Sequence, residues 1–337
     1  MPNMSADPLL RVEDLHKEFP VRRRLRDLVR SAPRAAVHAV DGVSLDLGRG
    51  EILALVGESG CGKTTTGRLV MRLLRPTAGR VTVDGTDALA IPETDYRRAV
   101  QMVFQDPYAS LDPRYRVRDV LEEPLLIHRV GESRAERMRL VRAALERVKM
   151  SPAEELMDRH PHMLSGGQRQ RVAVARALML SPRVVVADEP VSMIDLSTRA
   201  EILHMMRGIQ REMGLSLLYI THDISTARSF ADRIAVMYLG RIVEIGPVDA
   251  VIESPRHPYT RALIAAVCEP VPGRVDRIRE LSVRGEVPSA VDIPRGCRFH
   301  PRCPFAVAAC REAPEPELEP AGSAQLAACR RLEEIRA

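Results

Sequence analysis

Residues 57–64 read Gly57-Glu58-Ser59-Gly60-Cys61-Gly62-Lys63-Thr64, with Thr65 next, and fit the pattern G-x-x-x-x-G-K-[ST]. The flanking chain supplies the setting this pattern needs. Glu51–Val56 is a short apolar run of the kind that forms a buried strand. From about Lys63 to Leu74 the spacing is helical, closed by Pro76 and Gly79. A strand, a glycine turn and a helix in that order make a phosphate loop. Its glycines let backbone N–H groups turn inward around phosphates. The helix N-terminus adds the positive end of its dipole. Lys63 is placed to reach the β and γ phosphates of a nucleotide, and the Thr64 hydroxyl to coordinate Mg²⁺. Gly57 to Thr65 is therefore the expected ATP-binding loop, with Cys61 at a position the motif leaves free.

Outward from the loop, strands and helices alternate. Leu9 to Phe19 reads as a strand and turn, Ser44–Leu47 as a strand, and Arg80–Asp84 and Val100–Gln105 as two more. Residues 106–163 change to helical character, with Met138, Val141, Leu145 and Val148 on one face. Sheet character returns at Val184–Ala187, Leu215–Thr221 and Arg233–Met237. Thr198 and Glu201 have capping-box spacing at a helix start between them. This alternation predicts an α/β fold with a parallel sheet and a helical block inserted into it. After about Gly246 the chain turns Pro-rich and loop-like.

Composition bounds the function. The 337 residues suffice for one large domain with an appendix or for two ordinary ones. Aromatics are 3% and Trp is absent, so Val, Ile, Leu and Met must fill the core. The net charge of +5 is local: Arg22, Arg23, Arg24, Arg26, Arg30 and Arg34 stand against Asp27 alone. A nucleic-acid binder needs a basic face with aromatics for stacking, and neither is evident, so no nucleic-acid partner is expected. No run of about 18 apolar residues exists to span a bilayer. Nor does the N-terminus show a basic segment followed by an apolar one. These features point to the cytoplasm, where disulfides are not expected.

Two further motifs bear on chemistry. Residues 184–189 read V-V-V-A-D-E. Asp188, at the tip of an apolar strand, suits the Mg²⁺ shell, and Glu189 is one residue on, where it can orient and deprotonate an attacking water. Taken alone, such a pair is a solvated strand end; downstream of a phosphate loop it is the group that metal-assisted phosphoryl transfer requires. Residues 164–171 read L-S-G-G-Q-R-Q-R and open a long helix. Ser165, Gly166 and Gly167 there form a second anion site of a hydroxyl and two N–H groups. A phosphate loop plus a second γ-phosphate contact suggests two chains sandwiching ATP.

With these motifs the chain resembles the ATP-binding-cassette transporter ATPases, in the family's motif order over residues 8–250. L-S-G-G-Q-R-Q-R looks like their signature motif. The resemblance implies a P-loop cassette with a mixed sheet, a helical subdomain over 106–163 that meets the membrane partner, an Arg-rich insertion over 22–36, and a loop-rich C-terminal extension over 251–337. It implies that Gln105, in M-V-F-Q-D-P, touches Mg²⁺ together with Thr64 and Asp188. His222, in Y-I-T-H-D, matches the switch histidine on the γ-phosphate, and Phe19 the aromatic that stacks on adenine. Ser165, Gly166, Gly167, Gln168 and Asp195 would then serve ATP held by the opposing chain. Asp195 closes V-S-M-I-D, where Met193 and Ile194 depart from the family's usual S-A-L-D.

H-P-Y-T-R-A-L-I at 257–264, G-E-V-P-S at 285–289 and C-R-F-H-P-R-C-P at 297–304 resemble the peptide and nickel importer branch. F-Q-D-P-Y-A-S-L-D-P and M-Y-L-G-R-I-V-E are similar to its "F"-type ATPase. The resemblance implies a peripheral subunit on the cytoplasmic face of the membrane. Its partners would be a "D"-type ATPase, two transmembrane permease subunits and an extracytoplasmic solute-binding protein. Oligopeptides or dipeptides are the implied cargo, with nickel, glutathione or oligosaccharide as alternatives. The competing class is a soluble cassette ATPase acting on nucleic acid or ribosomes. Such proteins carry long coiled coils or two cassettes, and this chain has one cassette and no sustained heptads.

Cys297, Cys303, Cys310 and Cys329 are spaced C-x₅-C-x₆-C-x₁₈-C, unlike common zinc hairpins or the ferredoxin run. Four thiols in a loop-rich tail suit a soft metal. The branch resembled includes members with a [4Fe–4S] cluster at such cysteines; zinc and free thiols remain the alternatives. Cys268 reads as a buried thiol. The Arg-rich segment reads as a solvated loop, or as a contact to anionic lipid.

Overall fold

The computed structural model describes residues 7–21, 35–266, 285–322 and 324–335. Residues 22–34 of the Arg-rich insertion and Cys268 lie outside the described residues.

The chain begins with β1 (Leu10–Pro20), β2 (Ala36–Leu47) and β3 (Ile52–Val56), and the phosphate loop leads into α1 (Lys63–Val70). Then come β4 (Ala78–Val83), β5 (Thr86–Asp87), α2 (Glu93–Ala99) and β6 (Val100–Val103). Four helices fill the following stretch: α3 (Pro107–Ser110), α4 (Val117–Ile127), α5 (Arg134–Arg147) and α6 (Ala153–Met157). After α7 (Gly166–Leu178) the alternation resumes with β7 (Val184–Asp188), α8 (Leu196–Met213), β8 (Ser216–Thr221), α9 (Ile224–Phe230) and β9 (Arg233–Tyr238). The chain closes with β10 (Arg241–Pro247), α10 (Val248–Glu253), α11 (Pro258–Ala266), α12 (Ala309–Glu312), β11 (Glu319–Gly322) and β12 (Gln325–Ala327).

Two sheets result. One has the order β2-β1-β4-β5 and is antiparallel. The other has the order β11-β12-β10-β9-β3-β8-β7-β6, parallel from β9 through β6 and antiparallel beyond β9. The period-2 geometry of a strand explains why β3 is apolar throughout. Ile52, Ala54 and Val56 join the core on one face of the large sheet, and Leu53 and Leu55 the core on the other. Leu217 and Tyr219 of β8 likewise face one core, Leu218 and Ile220 the other. Each fully buried side chain of this size contributes about 1.5–3 kcal/mol. The phosphate loop thus leaves the middle of a rigid, doubly covered sheet.

In the helical block Val141, Leu145 and Val148 are buried, and Met138 packs against the same core, as the spacing predicts. Three expectations need correction. Helix α1 ends at Val70 rather than near Leu74, because Arg72 takes a left-handed φ of 54° that breaks the ladder. Helix α8 is capped by Asp195, whose carboxylate accepts from the Thr198 N–H, so Thr198 is inside the first turn and is not the cap. The region after Gly246 is more than loop: β10, β12 and β11 extend the large sheet, and α10 and α11 pack beside it.

Candidate nucleotide site

The phosphate loop runs close between β2 and β9. A Cβ on Gly57 would fall 2.2 Å from the Met237 carbonyl oxygen. One on Gly62 would fall 2.1 Å from that of Ala39, and Gly62 also has φ +112°. Only glycine satisfies both constraints at that position. Lys63 is buried, and its Nζ donates to the carbonyls of Gly57 (2.7 Å) and Glu58 (2.9 Å). The ammonium thus curls over the inside of the loop, where a phosphate would replace these carbonyls. Cys61 is buried beneath it, and burial raises its thiol pKa.

Strand β7 delivers the acids. Asp188 is buried, and the Thr64 hydroxyl donates to its Oδ1 at 3.1 Å. Burial raises its pKa above the usual carboxylate range, opposed by the Thr64 hydrogen bond and reinforced by the charge of Glu189. Glu189 then takes φ 45°, a left-handed conformation uncommon outside glycine, with its N–H donating to Ile220 O at 2.8 Å. Both carboxylate oxygens are engaged: Gln105 Nε2 donates to Oε2 at 3.2 Å, and His222 Nδ1 is 3.0 Å from Oε1. Gln105 follows β6 and His222 follows β8, the strands that flank β7, so three neighbouring strand ends converge.

These groups line one open cavity. Ser59, Gly60, Gly62, Lys63, Thr64 and Thr65 form its floor, and Gln105, Glu189 and His222 face them. Val37 and Ala39 of β2, with Ser192 and Met193, complete it. Val37, Ala39 and Ser192 were not singled out from the sequence, and Met193 only as a departure in V-S-M-I-D; β2 belongs to the other sheet and reaches the loop only through tertiary packing. Gly57, Glu58 and Cys61 belong to the loop but not to the cavity wall. Phe19 is on β1 in register with Val37, 36% exposed, with Lys17 Nζ 5.2 Å over its ring. The donor set of Thr64, Asp188 and Gln105, all oxygen-bearing and gathered at the loop, suits Mg²⁺.

The remaining site residues lie outside this cavity. Ser165 caps α7 in a reciprocal capping box: its Oγ accepts from Gln168 N at 3.2 Å, and its N–H donates to Gln168 Oε1 at 3.0 Å. A Cβ on Gly166 would meet nothing, whereas one on Gly167 would strike Thr198 Cγ2 at 2.6 Å. The signature turn is therefore open on one side and packed against the start of α8 on the other. Asp195 accepts from Thr198 N (3.0 Å) and Ser197 Oγ (2.8 Å), and these bonds hold its carboxyl down at about 2.

Cys297, Cys303, Cys310 and Cys329 line one small cavity with His257, Phe299 and His300. Burial, with the neighbouring sulfurs adding, pushes the Cys297 thiol up to about 12 and the Cys303 thiol up to about 11. Among the described residues no group of three or more His, Cys, Asp or Glu side chains is set to hold a single metal ion. The H-P-Y-T-R-A-L-I segment is fixed by Glu244, which is fully buried and accepts from Arg256 N (2.8 Å) and His257 N (2.9 Å). That pairing sets the start of α11 and directs Tyr259 toward the phosphate loop, where its hydroxyl accepts from Glu58 N at 2.9 Å.

A glycine loop on a parallel sheet, an acid pair at the next strand tip, and a switch-like histidine beside it define a P-loop ATPase with a separate signature turn. Comparison with known proteins narrows this. A family model described as ABC transporter matches residues 40–192, and one described as oligopeptide/dipeptide transporter, C-terminal region, matches residues 243–310. A probable peptide ABC transporter ATP-binding protein of Sinorhizobium fredii is 46% identical over 96% of this chain and 90% of its own. The dipeptide transport ATP-binding protein DppF of Escherichia coli is also 46% identical, over 96% of this chain and 94% of its own. Among solved structures, the dimeric ATP-binding cassette MJ0796 in a post-hydrolysis state with ADP and Pi aligns with a TM-score of 0.61 at 27% identity. It covers 71% of this chain and 98% of that one. The chain belongs to the ABC transporter ATP-binding proteins of the oligopeptide/dipeptide type, and it is an ABC transporter ATPase. No helix among the described residues is long and apolar enough to cross a membrane.

Proposed function

We propose that the chain powers the import of oligopeptides or dipeptides by hydrolysing MgATP at a site shared between two ATPase chains. The observation that carries this reading is the convergence of Gln105, Glu189 and His222 opposite Lys63 and Thr64, with Ser165 to Gln168 outside that cavity. One chain thus offers the phosphate loop and the base, and among the described residues its own signature turn does not line that cavity. The dimeric, ADP- and Pi-bound relative supports a two-chain arrangement.

In this reading Lys63 and the N–H groups of the loop from Gly57 through Thr65 bind the phosphates, except that of Glu58, which donates to the Tyr259 hydroxyl. Phe19 stacks on the adenine. Thr64, Asp188 and Gln105 would hold Mg²⁺, which would supply positive charge against the developing charge of the phosphoryl group. Glu189 takes a proton from the attacking water, and His222 orients Glu189 and contacts the γ-phosphate. Ser165, Gly166, Gly167, Gln168 and Asp195 close the site from the other chain. Residues 8–250 act as the cassette, 106–163 as the docking subdomain and 251–337 as the extension. The partners are a D-type ATPase, two permease subunits and a solute-binding protein, with this chain peripheral on the cytoplasmic face. The names of the relatives support a peptide cargo.

We infer a [4Fe–4S] cluster at the four cysteines, with zinc and free thiols as the alternatives. A single zinc ion needs its thiolates converged at about 2.3 Å from one point. The four cysteines line one small cavity, although among the described residues no group of three or more is set to hold a single ion, so the cluster reading rests on the number of thiols and on the resemblance to cluster-bearing members of the branch. Protein purified without oxygen should contain iron and sulfide and be coloured; a colourless, iron-free sample overturns this assignment.

Purification from native membranes tests the main reading. Two polytopic subunits and a second ATPase should accompany the chain, and peptide with its binding protein should stimulate hydrolysis. Co-purification of ribosomes or DNA overturns it, and stimulation by nickel, glutathione or oligosaccharide alone overturns the peptide assignment.

A further inference from the structure

Glu58, at a position the motif leaves free, places a carboxylate one residue from Gly57 in a loop built to surround phosphates. The structure accounts for that charge from the far end of the chain. The two guanidinium nitrogens of Arg302 grip the Glu58 carboxylate, Nη1 to Oε2 at 2.8 Å and Nη2 to Oε1 at 3.1 Å. Arg302 is buried, and its guanidinium carbon lies 5.8 Å from the centre of the Tyr238 ring. A bidentate pair of this kind fixes direction as well as charge. The Glu58 N–H donates to the Tyr259 hydroxyl, and its carbonyl accepts from Lys63 Nζ. Carboxylate, N–H and carbonyl of one loop residue are thus each assigned, two of them by residues beyond position 250.

The loop that carries Arg302 is itself tight. Cys297 N–H donates to Cys310 O, His300 N–H to Cys297 O, and Arg302 N–H to Phe299 O. Arg298, on the same turn, is buried and pairs with Asp41 of β2 and with the Leu239 carbonyl. The cysteine-bracketed segment C-R-F-H-P-R-C therefore seats one arginine on the phosphate loop, at Glu58, and the other on Asp41 of β2 and the Leu239 carbonyl, behind the nucleotide cavity.

We propose that Arg302 is a positioning residue for ATP binding: it neutralises Glu58 and holds that carboxylate away from the phosphates, so that the C-terminal extension is part of the nucleotide site. This rests on the ATPase reading above. Without Arg302, Glu58 keeps its charge beside incoming phosphate and competes for Lys63. A purely architectural contact predicts no such charge dependence.

The test is MgATP affinity by calorimetry on the full chain, with thermal midpoints measured in parallel. Arg302→Gln should weaken binding about ten-fold, the size of one charge-assisted contact. Combining it with Glu58→Gln, which removes the unpaired charge, should restore affinity to within about three-fold of wild type, since that remainder is only a neutral contact. Unchanged affinity in Arg302→Gln, or a double variant as weak as the single one, overturns the proposal. Should Arg302→Gln fail to fold, Arg302→Lys retains charge but loses the fork. It should bind MgATP within about three-fold of wild type, and a loss of about ten-fold there means that the contact acts through shape and not through charge, which overturns the idea. Wild type must bind and Lys63→Ala must not; if wild type fails to bind, the ATPase reading falls instead.

Discussion

His222 Nδ1 lies 3.0 Å from Glu189 Oε1, and this contact, with Gln105 on the other oxygen, fixes the direction of the carboxylate proposed to activate water. The same residue is held in a left-handed backbone conformation at the tip of β7. Such strain persists only where the surroundings impose it.

Glu189→Gln should therefore keep shape and lose chemistry. The amide can still accept one hydrogen bond but cannot take a proton. Turnover in the assembled transporter should fall by about 10²–10⁴-fold, the usual contribution of a general base. MgATP affinity should stay close to wild type. Steady-state hydrolysis and equilibrium binding on the same preparation check both halves; unchanged turnover refutes the assignment.

The signature turn allows a cleaner separation of roles. Ser165→Ala removes the α7 cap and should cost about 1 kcal/mol of stability. Gly166→Ala adds a methyl group where nothing stands within 4 Å, so it should cost little. Neither residue touches the phosphate loop of its own chain. MgATP binding by the isolated chain should thus be unchanged in both. ATP-dependent association with the partner ATPase, followed by light scattering in the Glu189→Gln background, should weaken in both.

The sheet and the phosphate loop were legible because their signals are local. An apolar strand with both faces covered, a glycine spacing and a strand-tip acid pair each occupy a few consecutive residues. The end of α1 was not legible, since a left-handed Arg72 leaves no compositional trace. The cap of α8 was misplaced for a related reason. Asp195 and Thr198 both suit a helix start, and only the backbone decides between them. The extension was underestimated because β11 and β12 are short and become strands only by pairing with β10. Arg302 and Tyr259 were invisible as neighbours of Glu58, since more than 200 residues separate them in sequence.

Asp195 gives the pH prediction. The Thr198 N–H, then the Ser197 hydroxyl, stabilise its charged form and hold the carboxyl at about 2, against an ordinary 3.8. A depressed carboxyl pKa gives stability that is complete above the unfolded value and lost as pH falls through the folded one. Asp195→Asn retains a capping oxygen without the charge. Its urea midpoint should be lower than wild type at pH 7 and at pH 5, and the two should converge as pH falls from about 4 toward about 2. A gap that stays constant over that range contradicts the cap.

Glu244 decides whether extension and cassette stand or fall together. It is on β10, fully buried, and accepts from Arg256 N, His257 N and the Gln325 amide. Burial raises its pKa, and the Thr260 hydroxyl and those donors oppose the rise. Glu244→Ala leaves buried N–H groups unpaired, at about 1–3 kcal/mol each. It also frees the start of α11, and with it the Tyr259 hydroxyl that receives the Glu58 N–H. The variant should therefore melt earlier and also bind MgATP less tightly, although Glu244 does not line the nucleotide cavity. Glu244→Gln, which keeps an acceptor oxygen, should recover part of both losses. If the thermal midpoint falls while MgATP affinity in the folded protein is untouched, the extension is a separate stabilising element and not a support for the phosphate loop.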